Sequence, residues 1–512
     1  MSDPTNFKPI KWDASMVKAA HEECDRIYET VLNELSESLN ETHRIAWNRL
    51  QYEKLLGNWL ISLIHILCDR WKSSNELSKT ESGLFIPPSD INSFQRDAVA
   101  DAFNNLLCQQ ITLLKNGDFL PNTHYFSQKV QCVSHFSIST KVNSPVHIHE
   151  PYHSFGQSRW KNKLLGLTIP KNLENLTSLL TFDDLQIDEF DTLKTWRLSN
   201  VKKEASSLEE ACKILAPLYL PAVFLEGFNS LRKASLSAPG IKVLFTATSI
   251  HENIPFKYLG AEISDNTLLL CHQHGGGYGI QERCVPEDYE RSISNVFYTW
   301  GWKENENTRL LPAPPRISKP RVNKRRKILF KCIEYPRYVY RIMYETMGTQ
   351  MNSQIADTIK FLREVTDCDI EISHYPHKYG WQVRERFSNA GISFPDKRHS
   401  DSYYALHTAN YMGTSWLESL AADIPTICFF DPQITSFRAN VSPYIEDLIR
   451  LGILNTSPEA AAAKVKEVCN NPDTWWRTDD LQDIRKSFVE KYALLKDDWQ
   501  ESWRDEFSQF VN

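Results

Sequence analysis

The sequence predicts an α/β protein: two Rossmann-like domains facing a cleft, with a helical region at the start and a crossing helix at the C-terminal end. Three observations carry this. Short apolar runs alternate with helical stretches in two blocks, about 211–310 and 327–475, the pattern of parallel sheets covered by helices. A stretch rich in proline and charge separates the blocks. One apolar run in each block ends in a cluster of glycine, hydroxyl or imidazole residues, at 272–279 and 413–418. Sheets of this kind hold ligands at such strand ends.

Composition narrows the function classes. With 512 residues the chain exceeds one ordinary core. A net charge of -6 gives no basic excess, so nucleic acid is not an expected partner. Eleven cysteines show neither CxxC pairs nor zinc spacing, and the start carries no secretory signal. They read as reduced thiols in a cytoplasmic protein. The longest apolar run, Trp59–Cys68, is half the roughly 20 residues that span a bilayer. Membrane contact, at the inner face, is then peripheral at most.

The N-terminal, acceptor-side domain is expected over 1–311. Residues 13–115 carry helical periodicity, with Leu32, Leu35 and Leu39 on one face. Tyr52, Leu55, Leu56, Trp59, Leu60, Leu63 and Leu67 form a second stripe. Asp69-Arg70 reads as a buried ion pair closing that helix. About 121–210 reads as an irregular insertion with β-like pieces such as Val130–Val133. His147 and His149 lack a third ligand at metal spacing and read as a surface loop. The Rossmann-like part, about 211–310, holds a helix from Leu208 broken near Pro217 and Pro221. A strand follows at Ile241–Thr248, then a helix from near Asn253 and a strand from Leu268 into the glycine cluster.

Residues 312–326, with several prolines and a Lys/Arg run, read as a linker. The nucleotide-sugar-binding domain, 327–475, is expected to alternate strands at Lys327–Cys332, Cys368–Ile372, Asn410–Met412 and Pro425–Phe430 with helices at about 353–365, 381–390, 415–422 and 458–470. A long helix over 480–508, within the C-terminal segment 476–512, is expected to pack back on the N-terminal domain. Two such halves, a linker and a closing helix describe a GT-B arrangement.

The chemistry concentrates in a few segments. In His272-Gln-His-Gly-Gly-Gly-Tyr-Gly279 an apolar strand ends in a loop nearly without side chains. Glycine admits positive φ and close ligand approach, and consecutive N–H groups can cradle an anion. His272, Gly275, Gly276, Gly277 and Tyr278 are the candidate substrate contacts. His272 and His274 are expected to point the same way on an extended backbone. The spacing matches neither the dinucleotide fingerprint nor the P-loop. Thr414 and Ser415 follow Gly413 at a helix start, with Glu418 three residues on. That is a capping-box spacing, and also one suited to holding a phosphate. His377 and Lys378, in a His- and Tyr-rich loop with His374, are further candidates for donor phosphate. His274 is the favoured general base, with Glu252 and Glu282 as alternatives for base or nucleophile. The sequence leaves inverting and retaining chemistry open. No Asp-x-Asp element of the metal-dependent glycosyltransferase type is read in the chain, so no metal is expected.

Thr414 to Ile427, as Ser/Thr-x-x-x-Glu-x-Leu-x-x-x-x-Pro-x-Ile, resembles the donor segment of GT-B glycosyltransferases and nucleotide-sugar epimerases. It is especially similar to enzymes that use CMP-activated Kdo or nonulosonic acids. The glycine block, Phe297-Tyr-Thr-Trp-Gly-Trp302 and the helix Tyr52–Arg70 resemble a family of transferases of surface-carbohydrate (lipopolysaccharide and capsule) biosynthesis. The loop around His377 is similar to the Lys/Arg-x-His-Pro element of sialyl- and Kdo-transferases, but Pro376 precedes the histidine. The resemblance implies a metal-independent glycosyltransferase without cofactor. It would move an acidic sugar from a CMP-sugar donor to a glycan or lipid-linked glycan. CDP-alcohol phosphotransfer and nucleotide-sugar epimerisation are the alternatives on the same fold, and a non-catalytic carbohydrate-binding protein is the alternative of another class.

Overall fold

Asp13 and Asn48 start the two long helices of the N-terminal half, Ala14–His43 and Arg49–Lys72. Asp13 accepts from the Met16 N–H at 2.9 Å, and Asn48 forms a reciprocal capping box with Gln51. The computed structural model describes residues 10–73, 85–120, 127–141, 144–151, 173–238, 240–315, 317, 325–348, 350–374, 379–394 and 400–511. The Tyr52–Leu67 stripe is buried throughout. Gly57 on this helix allows a close approach, since a Cβ there would stand 2.6 Å from the Tyr289 ring. At the helix end Arg70 pairs with Asp69 at 2.6 Å, both side chains buried. Asp69 also accepts from the Trp12 indole, and Arg70 donates to Asn104 and to the Val339 carbonyl. The saturated hydrogen bonding is what makes a buried pair tolerable.

Among its described residues the region expected to be irregular holds four strands: β1 (Lys129–Ser139), β2 (Val146–Ile148), β3 (Thr177–Leu179) and β4 (Thr181–Asp191). β1 and β4 pair antiparallel as a long ribbon. β4 is exposed along most of its length and rich in Asp and Glu, so it lacks the apolar alternation that marks a strand. β2 lies between β3 and a central strand. It buries His147, and His149 reaches Ser249 Oγ at 2.5 Å. The surface-loop reading is therefore overturned for His147, because three residues are too short a strand to show periodicity, whereas His149 lies just past the strand end and is half-buried.

The first sheet continues with β5 (Val243–Thr246), β6 (Leu268–His272), β7 (Val296–Thr299) and β8 (Thr308–Leu310), in the order β3-β2-β5-β6-β7-β8. The second contains β9 (Arg325–Cys332), β10 (Ile370–His374), β11 (Tyr404–Ala409), β12 (Thr426–Phe429) and β13 (Leu454–Asn455), in the order β10-β9-β11-β12-β13. Pairing is parallel throughout both. β5, β7 and β12 are buried at every position, as strands covered on two faces must be. The strand expected at Asn410–Met412 lies upstream, as β11. Tyr404, His407 and Thr408 broke up its apolar run, and 410–412 is the turn into the helix Thr414–Ala421.

Two segments tie the sheets together. The expected C-terminal helix is two helices, Asp479–Tyr492 and Trp499–Phe507. The second crosses to the first sheet, where the Trp503 indole donates to the Pro312 carbonyl at 2.7 Å. There Glu506 accepts from the Tyr298 hydroxyl at 2.8 Å. The stretch after β9 makes the other tie, burying Val339, Ile342, Tyr344 and Met347 in the core of the N-terminal helices. The result is an α/β fold with two parallel sheets whose loops meet beside a cleft.

Candidate functional site

The two strand-end clusters meet. A Cβ on Gly276 would stand 2.6 Å from the Gly413 carbonyl carbon and the Thr414 nitrogen. Close approach, rather than left-handed backbone, explains Gly275, Gly276 and Gly277. In this loop only Gly279 has a positive φ, 70°. A Cβ at Gly275 would press on the Tyr278 ring at 2.7 Å, and one at Gly277 on the Gln281 amide at 2.9 Å. Beside the contact, a narrow cleft is lined by Gly276, Gly277, Gln281, Glu345, Tyr411 and Met412, among others. The buried Glu345 carboxyl accepts from Tyr335 and Gln281, and burial raises its pKa.

A wider cleft of about 490 Å³ lies next to the loop and contains His251, Glu252, His274 and Arg341. Its floor is organised by Glu290 on the helix Val285–Ile293. One Glu290 oxygen stands 3.3 Å from His274 Nδ1 and 2.5 Å from His251 Nε2, and accepts from the Tyr278 hydroxyl at 2.8 Å. Among the described residues the other oxygen is buried without a partner. Burial lowers the His274 pKa to about 4, with the Arg341 charge acting the same way. Burial likewise pushes His251 well down and Glu290 well up. His274 is therefore a neutral imidazole near pH 7, oriented by a carboxyl and able to take a proton. His251, His274 and Glu290 also bring three potential ligand atoms within 4.8 Å of one another, a set suited to a divalent cation. The nearby guanidinium of Arg341 opposes a cation there.

The other candidates are distributed unevenly. Glu252 shares the cleft with His274 and is exposed. Glu282 lines neither cleft; it accepts from Ser436 Oγ at 2.5 Å and lies 3.9 Å from Lys18. His272 is fully buried against Trp503 and bonds the Leu311 carbonyl at 3.1 Å. It does not point with His274, because β6 ends at His272 and the two-residue alternation ends with it. Tyr278 packs in the core and turns its hydroxyl to Glu290, so it supports the loop instead of facing a substrate.

Thr414 opens its helix, and Ser415 Oγ meets the Tyr411 hydroxyl at 2.7 Å. The capping box is absent: Gly413 is the N-cap, and no side chain caps the helix. Glu418 is buried one turn on, facing a separate cleft with Pro315, Ala422 and Lys496. His377 and Lys378 lie outside the described residues. His374 ends β10 and pairs with Glu334 at 3.1 Å.

His251, Glu290, Glu345 and Arg341 escaped the sequence reading. His251 had one available signal, its place just past the β5 strand end. Glu290 had a weaker one, its place beside Tyr289 in a short helix.

Fold and clefts define a two-sheet α/β protein with its polar chemistry at facing strand ends. The LIC12162 family of transferases matches over residues 2–507, and the chain belongs to that family. It is a transferase. Among curated proteins no relative matches. Solved structures give faint similarity. A TarM mutant of S. aureus, in complex with fondaparinux, α-GlcNAc-glycerol and UDP, aligns at 13% identity and TM-score 0.34, covering 52% of this chain and 55% of that one. The chain thus spans about half the length of that structure. The rhamnosyltransferase SpnG with spinosyn aglycone aligns at 10% identity and TM-score 0.31, covering 54% and 79%. The glycotransferase of kitacinnamycin aligns at 10% identity and TM-score 0.32, covering 56% and 80%. Superpositions this loose carry no weight for activity.

Proposed function

We propose that the protein is a glycosyltransferase that moves a sugar from a nucleotide donor to an acceptor hydroxyl. The observation that carries the reading is the position of His274: neutral, held by Glu290, and facing a polar cleft beside the loop that abuts Thr414. In this reading His274 accepts the acceptor hydroxyl proton as its oxygen attacks the anomeric carbon. The bond from that carbon to the donor phosphate breaks with its electron pair going to the phosphate oxygen. Thr414, Ser415 and the N–H groups of their helix start receive the departing phosphate, aided by the helix dipole. Lys378 and His377 are assigned the same task and Glu252 the role of alternative base, while a nucleotide-binding role for Glu418, which faces a separate cleft, rests only on the resemblance of Thr414–Ile427. The steps use no metal.

The finer identity, an acidic Kdo- or nonulosonic-acid-like sugar on CMP passed to a glycan or lipid-linked glycan, rests on the resemblance of Thr414–Ile427 and the glycine block. A thermal-shift panel of CMP, CDP, UDP, UMP, TDP and GDP tests it. CMP giving the largest rise in melting temperature supports the finer reading. A larger rise with UDP or TDP replaces CMP while keeping glycosyl transfer, and no rise with any nucleotide rejects both.

A further inference from the structure

Arg341 arrives in the His274 cleft from the other half of the chain. The stretch after β9 is pinned to the N-terminal helices on both sides of it. The Ile342 N–H donates to His65 Nδ1 at 3.1 Å, and the Ile342 carbonyl lies 2.9 Å from His21 Nε2. Val339 is buried in the same core. Among the described residues the Arg341 guanidinium has no hydrogen-bond or ion-pair partner, and its Nε is buried without one. Glu150 and Glu252 line the same cleft without pairing with it, and Glu150 is engaged by Ser249 at 3.0 Å. The Tyr340 ring, 5.8 Å away, offers a weak cation–π contact only.

A partly buried donor set left unpaired is costly, and a fold keeps one where a ligand completes it. The planar guanidinium fork matches a carboxylate or a phosphate with two parallel hydrogen bonds. We propose that Arg341 is the anion-recognition residue of this cleft, holding a carboxylate or phosphate group of the substrate that presents its hydroxyl to His274. The proposal rests on His274 as the base and adds a substrate class to it, an anionic acceptor. It also makes the cleft a two-domain site, with the base from one half of the chain and the anion contact from the other.

The test compares charged and neutral probes of similar shape on the full chain. Glucuronate and glycerol 3-phosphate, each at millimolar concentration, are set against glucose and glycerol in thermal-shift and calorimetric titrations. At least one anion is expected to raise the melting temperature, with an effect that shrinks as salt rises, while the neutral probes do nothing. Which anion works separates a carboxylate from a phosphate ligand. Arg341→Gln should abolish the shift and Arg341→Lys retain part of it, while Glu282→Gln, at a residue that lines neither cleft, leaves it intact. Because Arg341 has no hydrogen-bond partner to lose among the described residues, the Gln variant should melt no lower than the wild type without ligand. An undiminished anion shift in Arg341→Gln, or no anion shift in the wild type, overturns the proposal. Nucleotide binding is scored separately, since its absence from the wild type would reject the glycosyltransferase reading instead.

Discussion

The backbone of Gly276 lies against the amide of Thr414, joining the first sheet's glycine loop to the start of a second-sheet helix. A β-branched side chain has no room at that contact. Gly276→Val should force the sheets apart and lower turnover at least tenfold, with a lower melting temperature. Wild-type turnover in this variant would show that the contact does not set the working geometry.

His274→Asn keeps approximate shape and removes the base. Turnover should fall by about 10²–10⁴-fold, while nucleotide protection against heat stays unchanged. Glu290→Gln should lower turnover less, because it keeps a hydrogen-bonding group between His251 and His274. Equal turnover in wild type and His274→Asn would move the base to Glu252.

Thr414→Ala/Ser415→Ala removes two hydroxyls from the helix start. Two charge-assisted hydrogen bonds at roughly 1.5–3 kcal/mol each imply at least a tenfold weaker nucleotide affinity. Calorimetry reads this directly, and an unchanged affinity would place the phosphate elsewhere.

His272 is fully buried, and burial lowers its pKa from 6.5 to about 4. The unfolded chain then binds the proton first as pH falls. Stability present above pH 6.5 is therefore lost progressively between 6.5 and about 4. His272 alone accounts for about 2 kcal/mol by about pH 5. Urea midpoints should drop over that window, and His272→Gln should flatten the slope. A pH-independent midpoint would contradict the neutral buried state.

Much of the frame was legible in the sequence. The Tyr52–Leu67 stripe and the β5 and β12 runs each have one dominant physical signal, and each lies where that signal puts it; the Thr414 helix also starts where expected, but from Gly413 and without the capping box that its spacing suggested. The failures share a cause. β4 is an exposed acidic strand, and β11 mixes Tyr, His and Thr, so neither shows the period of its structure. The site failed for a related reason. Glu290, His251 and Arg341 come from a short helix, a strand-end turn and an aperiodic stretch, and only tertiary packing gathers them around His274. Tyr278 and His272 were misread because a glycine-rich loop invites every neighbour to be taken for a ligand contact, whereas Tyr278 holds the loop and His272 fills the core.

The most direct test is nucleotide release from a panel of CMP-, UDP-, TDP- and GDP-sugars with a candidate anionic acceptor, followed by chromatography. The wild type should release nucleotide from one donor class in step with the appearance of a glycosylated acceptor. His274→Asn should lose nearly all of that release, and Glu282→Gln should keep it. Release that is as fast in His274→Asn as in the wild type would contradict His274 as the base of the transfer, and no release from any donor would contradict glycosyl transfer itself.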